Sequence, residues 1–220
     1  MTGAWQTQKK EVVETARRMA ELGLVTGSSG NVSMRLAPLD GRDILAITAA
    51  GVSYDSLGID DIAIVDHDLE PVEGDVIPSS ESLLHVAIYR RRPDVDAVVH
   101  THALYSSVAA VAGVAIPPII DEMVVNIGGA VQVSAYAFPG SSELAESVCD
   151  ALGDRSAALM RNHGAVGVGR SLREALDVCA LTEKVAQIFV MSSMLGKVTE
   201  LPPDVVEAET AIYRMRRGFE

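Results

Sequence analysis

Hydrophobic positions first repeat with a helical period. In residues 7–22, "TQKKEVVETARRMAEL", Val12, Val13, Ala16, Met19 and Ala20 form one stripe, and Gly23 is placed to end the helix. After "TGSSGN" the period shortens. "VSMRLA", "DILAIT", "DIAIVD" and "PVEGDVI", separated by Gly, Asp and Pro, predict strands of a hairpin or meander. From Ser80 the helical spacing returns in Leu83, Leu84, Ala87 and Ile88, with Ser79 or Ser80 as N-cap and Pro93 beyond the end. A strand at 97–99, a small-residue helix at 103–112, a strand near "AVQVSAYA" and a helix at 142–152 follow. Strands in "AALMRN" and "AVGVG", a long helix at 171–194 and a terminal helix at 204–216 complete the pattern. Helices alternate with strands, but without a strict βαβ cadence. The expected fold is α/β: a single three-layer α/β/α domain over residues 1–220 with a largely antiparallel central sheet.

The length of 220 residues suits one domain with a substantial core. Eighteen Lys and Arg stand against 30 Asp and Glu, a net charge of −12, which argues against nucleic acid or anionic lipid as a partner. The basic clusters Arg90, Arg91, Arg92 and Arg214, Arg216, Arg217 fall at expected helix C-termini, where they read as solvated ends complementing the helix dipole. No apolar run reaches the roughly 20 residues of a membrane span, because Gly113, Pro117 and Pro118 interrupt "AAVAGVAIPPII". Only Cys149 and Cys179 occur, both in amphipathic helical segments, and nothing resembling a secretory signal precedes them. A reducing cytoplasm is the expected compartment.

Two of the five histidines, His100 and His102, close the apolar run in "AVVHTH", where a strand's two-residue period puts both imidazoles on one face. Alone, the pair reads equally well as a shared metal site or as hydrogen-bonded surface histidines. His163 in "RNHG" ends another apolar strand, and three histidines at strand ends with a fourth position open describe a catalytic metal site. His67, in the polar turn "VDHDL", is expected to be solvated. His85 lies four residues after Glu81 on the same helix face and is expected to pack beside or support the ligands. Glu81 at a helix N-terminus complements the dipole or, facing a cation, serves as ligand or general base. "TGSSGN", "TAAG" and "PSS" offer backbone N–H groups and hydroxyls at turns, suited to an anion; none is a P-loop or a dinucleotide fingerprint.

Taken together, "GNVS", "TAAG", "PSSE", "HTH" and "NHG" resemble the class II aldolase/adducin family over about residues 14–195, and within it most closely the fuculose-phosphate aldolases. The 19 residues from Glu81 to His100 and the 61 from His102 to His163 agree with that pattern. The resemblance implies Zn²⁺ or another divalent transition metal on His100, His102 and His163, with Glu81 as acid/base and as a further ligand when substrate is absent. It implies a substrate phosphate cradled by Gly30, Asn31, Gly51, Ser79 and Ser80. It also implies a homotetramer with sites at subunit interfaces, and a catalytic tyrosine from the C-terminal tail, for which Tyr213 is the candidate. The implied reaction is reversible cleavage of a ketose 1-phosphate, such as L-fuculose 1-phosphate or a deoxyketose 1-phosphate, to dihydroxyacetone phosphate and an aldehyde such as lactaldehyde. Two departures stand out. Ala50 replaces a hydroxyl residue before Gly51, and Asp121 and Glu122 replace the tyrosine expected after "IPPII". The second gives Asp121 a catalytic candidacy and keeps an epimerase, decarboxylase or dehydratase of the same family as the alternative. A non-enzymatic adducin-like module is a further alternative, opposed by retention of all three histidines and Glu81.

Overall fold

Alternation along the strands sets the layers. In β2 (Arg42–Thr48), Ile44 and Ala46 enter one hydrophobic cluster while Leu45 and Ile47 enter another, and all four are fully buried. A strand buried on both sides needs helices over both faces of its sheet. The computed structural model, which describes residues 3–219, supplies them. On one face lie α1 (Gln6–Glu21) and α6 (Leu172–Met194), joined by α3 (Leu104–Ala112) and α4 (Asp121–Ile127) over the far end; on the other lie α2 (Ser82–Arg91) and α5 (Ser142–Leu152). The last helix, α7 (Pro203–Arg217), packs on α4.

The remaining strands are β1 (Asn31–Leu39), β3 (Ile62–Asp66), β4 (Pro71–Glu73), β5 (Ala97–Thr101), β6 (Gln132–Val133), β7 (Ala157–Met160) and β8 (Gly164–Gly169). They form one sheet in the order β4-β3-β2-β1-β5-β8-β7-β6, antiparallel except between β6 and β7. The expected three-layer, largely antiparallel architecture is therefore present. The long connection between β5 and β8 brings residues some sixty positions apart into adjacent strands, with His100 opposite Val166 and Thr101 opposite Ala165.

Four expectations need correction. Neither Ser79 nor Ser80 caps α2: Glu81 is the N-cap residue, and Ser79 forms a turn ahead of the helix, its Oγ accepting from Glu81 N at 3.3 Å. The strand expected near "AVQVSAYA" is reduced to Gln132–Val133. The helix α4 has no counterpart in the expected pattern, which places no element between 112 and the strand near "AVQVSAYA". Arg92 and Arg217 are not solvated helix ends. Arg92 donates to Gly153 O, Arg155 O and the Asp94 carboxylate, and Arg217 pairs with Glu174 and Asp94 while 6% exposed. Among the described residues, no helix is long and apolar enough to cross a membrane.

Candidate metal centre

Where β5 ends, β8 begins beside it. The His100 ring donates from Nδ1 to Ala165 O at 2.9 Å, which turns its Nε2 toward the space between the strands. His163 lies just ahead of β8, after Asn162 in the left-handed region at φ 57°. Gly164 permits the close approach that follows: a Cβ there would stand 2.1 Å from Thr101 O and 3.2 Å from the His102 ring. Gly30, at φ +75°, serves the same purpose on the other side, since its Cβ would lie 2.5 Å from His100 O.

These backbone constraints bring the three imidazoles together. Their ring centroids are 4.7, 4.8 and 4.8 Å apart. Glu81, entering from the mouth of α2, places Oε2 at 2.9 Å from His100 Nε2 and Oε1 at 3.4 Å from His163 Nε2. One ligating atom from each of Glu81, His100, His102 and His163 lies within 4.8 Å of the others.

The protonation states suit a cation. Burial lowers the pKa of His102, to about 4, and that of His163, which favours neutral rings with a lone pair to give. Burial alone would raise Glu81; when the neighbouring rings are protonated, the hydrogen bond from His100 and the charges of His100 and His163 outweigh it and bring the carboxyl down to about 2. Its buried Oε1 has no hydrogen-bond donor, and a buried acceptor left without a partner calls for one. Three imidazoles with a carboxylate are a donor set that zinc and neighbouring divalent transition metals accept. The residues present therefore fit the implied metal.

A pocket of about 220 Å³ opens beside this cluster. Gly30 and Asn31, Gly51, and Ser79 and Ser80 line it together with Glu81, His102 and His163. The structure thus brings the expected phosphate residues and the expected ligands to one cavity. It does not bring Tyr213 or Asp121 there. Tyr213 is buried elsewhere, donating to Asp154 O at 2.8 Å, hydrogen-bonded to Ser156 at 2.9 Å, and packed on Gly128. Its hydroxyl is already committed, so the catalytic role carried over to it has no support in this fold. Asp121 is exposed at the start of α4, beside the Glu209 carboxyl.

Sequence reasoning underestimated the polar core behind Glu81. Asn31 Nδ2 donates to Glu81 Oε2 at 3.3 Å, Asn31 Oδ1 meets His85 Nε2, and His85 Nδ1 meets Ser33 Oγ at 2.6 Å; Ser33 in turn lies 2.7 Å from Tyr89 Oη. The i, i+4 spacing of Glu81 and His85 was the available signal, and the support role expected of His85 agrees with its place. Ser33 and Tyr89 carried no motif. Glu183 was also missed: from α6 it accepts from Tyr105 N, Ser106 N and Ser106 Oγ and so caps α3, which starts two residues after His102. His67 is not the solvated turn residue expected. Its ring stacks on Tyr89 at 6.2 Å, and burial lowers its pKa.

With this geometry established, comparison with known proteins is informative. Residues 10–190 match the family described as Class II Aldolase and Adducin N-terminal domain. A 5-deoxy-D-ribulose 1-phosphate aldolase of Bacillus thuringiensis serovar kurstaki is 31% identical over 202 residues, covering 92% of this chain and 93% of that protein. A 3-oxo-tetronate 4-phosphate decarboxylase of Haemophilus influenzae is 32% identical over 187 residues, covering 83% and 86%. The solved structure of an L-fuculose 1-phosphate aldolase superposes with a TM-score of 0.89 at 28% identity, over 97% of this chain and 98% of that one.

Proposed function

This chain belongs to the class II aldolase and adducin family as a metal-dependent lyase, and we propose that it is a zinc aldolase. The substrate would be a ketose 1-phosphate, L-fuculose 1-phosphate or a related deoxyketose 1-phosphate, cleaved reversibly to dihydroxyacetone phosphate and an aldehyde such as lactaldehyde. One observation carries the reading: four convergent groups able to ligate a metal lie beside a small pocket that three of them line together with three Gly/Ser turns suited to an anion.

Zinc, when bound, would supply Lewis-acid stabilisation of the negative charge that develops as the C3–C4 bond breaks. The protein's own groups do the rest. His100, His102 and His163 would hold the metal, the bond from His100 to Ala165 O leaving Nε2 as the nitrogen available to it. Glu81 would be a ligand when substrate is absent and the proton carrier when it is present. In the condensation direction its carboxylate would accept a proton from the hydroxymethyl carbon of dihydroxyacetone phosphate while the new C4 oxygen takes one from water; in cleavage the C4 hydroxyl would give its proton to water as the C3–C4 bond breaks, and Glu81 would protonate C3. Gly30 and Asn31, Gly51, and Ser79 with Ser80 hold the phosphate, the last pair at the positive end of α2. That local arrangement admits an anion to a chain whose net charge is −12. Among the described residues no lysine lines the pocket, so a Schiff-base route has no nucleophile there.

We also propose a homotetramer. An apolar stripe on α3, Leu104, Val108 and Val111, is exposed immediately after the ligand pair and offers a surface for another copy. Asp121, remote from its own chain's pocket, would act only toward a neighbour's. Light scattering of the purified protein measures the assembly.

The function is tested by incubating zinc-loaded protein with L-fuculose 1-phosphate and with 5-deoxyribulose 1-phosphate. Dihydroxyacetone phosphate is expected from at least one of them. Its absence from both, with zinc bound, would refute the aldolase reading.

A further inference from the structure

A carboxylate that both faces a metal and carries a proton needs its orientation fixed from behind, and Glu81 is approached from behind by an unbroken line of buried polar groups. His85, one turn along α2, is fully buried, as is Ser33, while Asn31 is 3% exposed and Tyr89 2%. Water cannot complete their hydrogen bonds, so the donors and acceptors must match among themselves.

That requirement fixes the direction of every bond in the line. A metal-facing carboxylate offers only acceptors, so the Asn31 atom toward Glu81 Oε2 must be its NH₂ group. Asn31 Oδ1 then faces His85 Nε2, which must carry the ring's hydrogen. The ring is neutral, because burial holds its pKa at about 3, and Nδ1 is therefore an acceptor that takes the Ser33 hydroxyl hydrogen. Ser33 in turn accepts from Tyr89 Oη. Tyr89 is anchored by Arg35, whose guanidinium lies 4.8 Å from the ring centroid and donates to Tyr89 O.

We propose that His85 is a positioning residue: by donating from Nε2 to Asn31 Oδ1 it holds the Asn31 amide with its NH₂ on Glu81 Oε2, leaving Oε1 as the carboxylate's free acceptor. Asn31 thereby acts on the carboxylate through its side chain, apart from any contact its backbone makes with a phosphate. The inference rests on Glu81 being the proton carrier proposed above.

The test has two independent readouts. Nitrogen-15 NMR of the imidazole rings in zinc-loaded wild-type protein, with His85 assigned by its loss in His85→Gln, is expected to show the Nε2–H tautomer. The second readout is exchange of solvent deuterium into the hydroxymethyl group of dihydroxyacetone phosphate, which needs no aldehyde. In His85→Phe the maximal exchange rate is expected to fall about 10–100-fold, as for other partners that orient a ligand, with KM within about threefold of wild type. His85→Gln keeps a donor toward Asn31 and is expected to recover most of the rate. An Nδ1–H tautomer overturns the inference. So does wild-type exchange in folded, zinc-loaded His85→Phe, or a His85→Gln rate no better than that of His85→Phe. Should His85→Phe not fold, the tautomer and the His85→Gln rate decide. Wild-type protein that binds zinc yet exchanges no deuterium refutes the proposed function instead, and the tautomer still reports on His85.

Discussion

Replacing Gly164 with alanine adds one methyl group at the point where β5 and β8 approach most closely. The new Cβ would stand 2.1 Å from Thr101 O, where a comfortable carbon–oxygen contact is about 3.3 Å, so the strands must separate locally by about 1 Å. The obstructing atom is backbone in the middle of the sheet and cannot swing away, and overpacking of this kind costs about 1–3 kcal/mol. For a chain of this length, 2 kcal/mol lowers Tm by about 4–8 °C. The second consequence is chemical. His163 precedes the substituted residue and His102 follows Thr101, so the separation acts directly on two ligands. Zinc sites tolerate about 0.2 Å in ligand distance, and a shift several times larger should weaken binding by at least the 10–100-fold seen when a ligand's supporting partner is lost. Chemical denaturation of metal-free protein measures the first effect, and competition with a chromophoric chelator the second. An alanine variant with unchanged midpoint and unchanged zinc affinity would show that the glycine is not what sets the approach of the two histidines.

Other outcomes follow from the same geometry. Glu81→Gln should fold and still bind zinc, while losing about 10²–10⁴-fold in kcat for cleavage, the usual contribution of a positioned acid/base, by a dihydroxyacetone phosphate assay. Glu183→Ala strips three donors at the start of α3 of their acceptor and should cost about 2–3 kcal/mol by urea denaturation. Tyr213→Phe should lose about 1 kcal/mol through its bonds to Asp154 and Ser156 yet leave kcat near wild type; a large fall in kcat would restore the tyrosine to the active site. Burial pushes the thiols of Cys149 and Cys179 up to about 11 and 12. Because the folded thiols keep their protons to higher pH than unfolded ones, their contribution to stability is complete below about pH 9 and declines above it. Native protein near pH 8 should react with a thiol reagent only on unfolding, by absorbance assay.

Much of the fold was legible because its signals are periodic and local. The 3.6-residue repeat fixed α1, α5 and α6 to within a residue or so, and the two-residue alternation marked the central strands. Histidines at strand ends exposed the candidate metal centre, since the strand period alone aligns His100 with His102. What the sequence hid depended on contacts between distant segments. The burial of Arg92 depends on Gly153 and Arg155, some sixty residues away, as well as on nearby Asp94, and that of Arg217 on the distant Asp94 and Glu174. Tyr213 bears the residue type a catalytic role needs, but its hydroxyl is taken by Asp154 and Ser156, and no local pattern announces that. Ser33 looks like any strand serine until His85 and Tyr89 are brought against it from α2.

The pairing of β5 with β8 has a consequence for the order in which the molecule assembles. An extended chain presents His100 and His102 as neighbours, but the third imidazole is 61 residues further on and reaches them through the pairing of β5 with β8. Such non-local pairing is slow, and its loop-closure entropy comes before any reward from the ion. A divalent ion held by these residues would gain its third imidazole only once the two strands are paired, and would then act as a latch on the sheet whose strength grows with the ion's concentration relative to its dissociation constant.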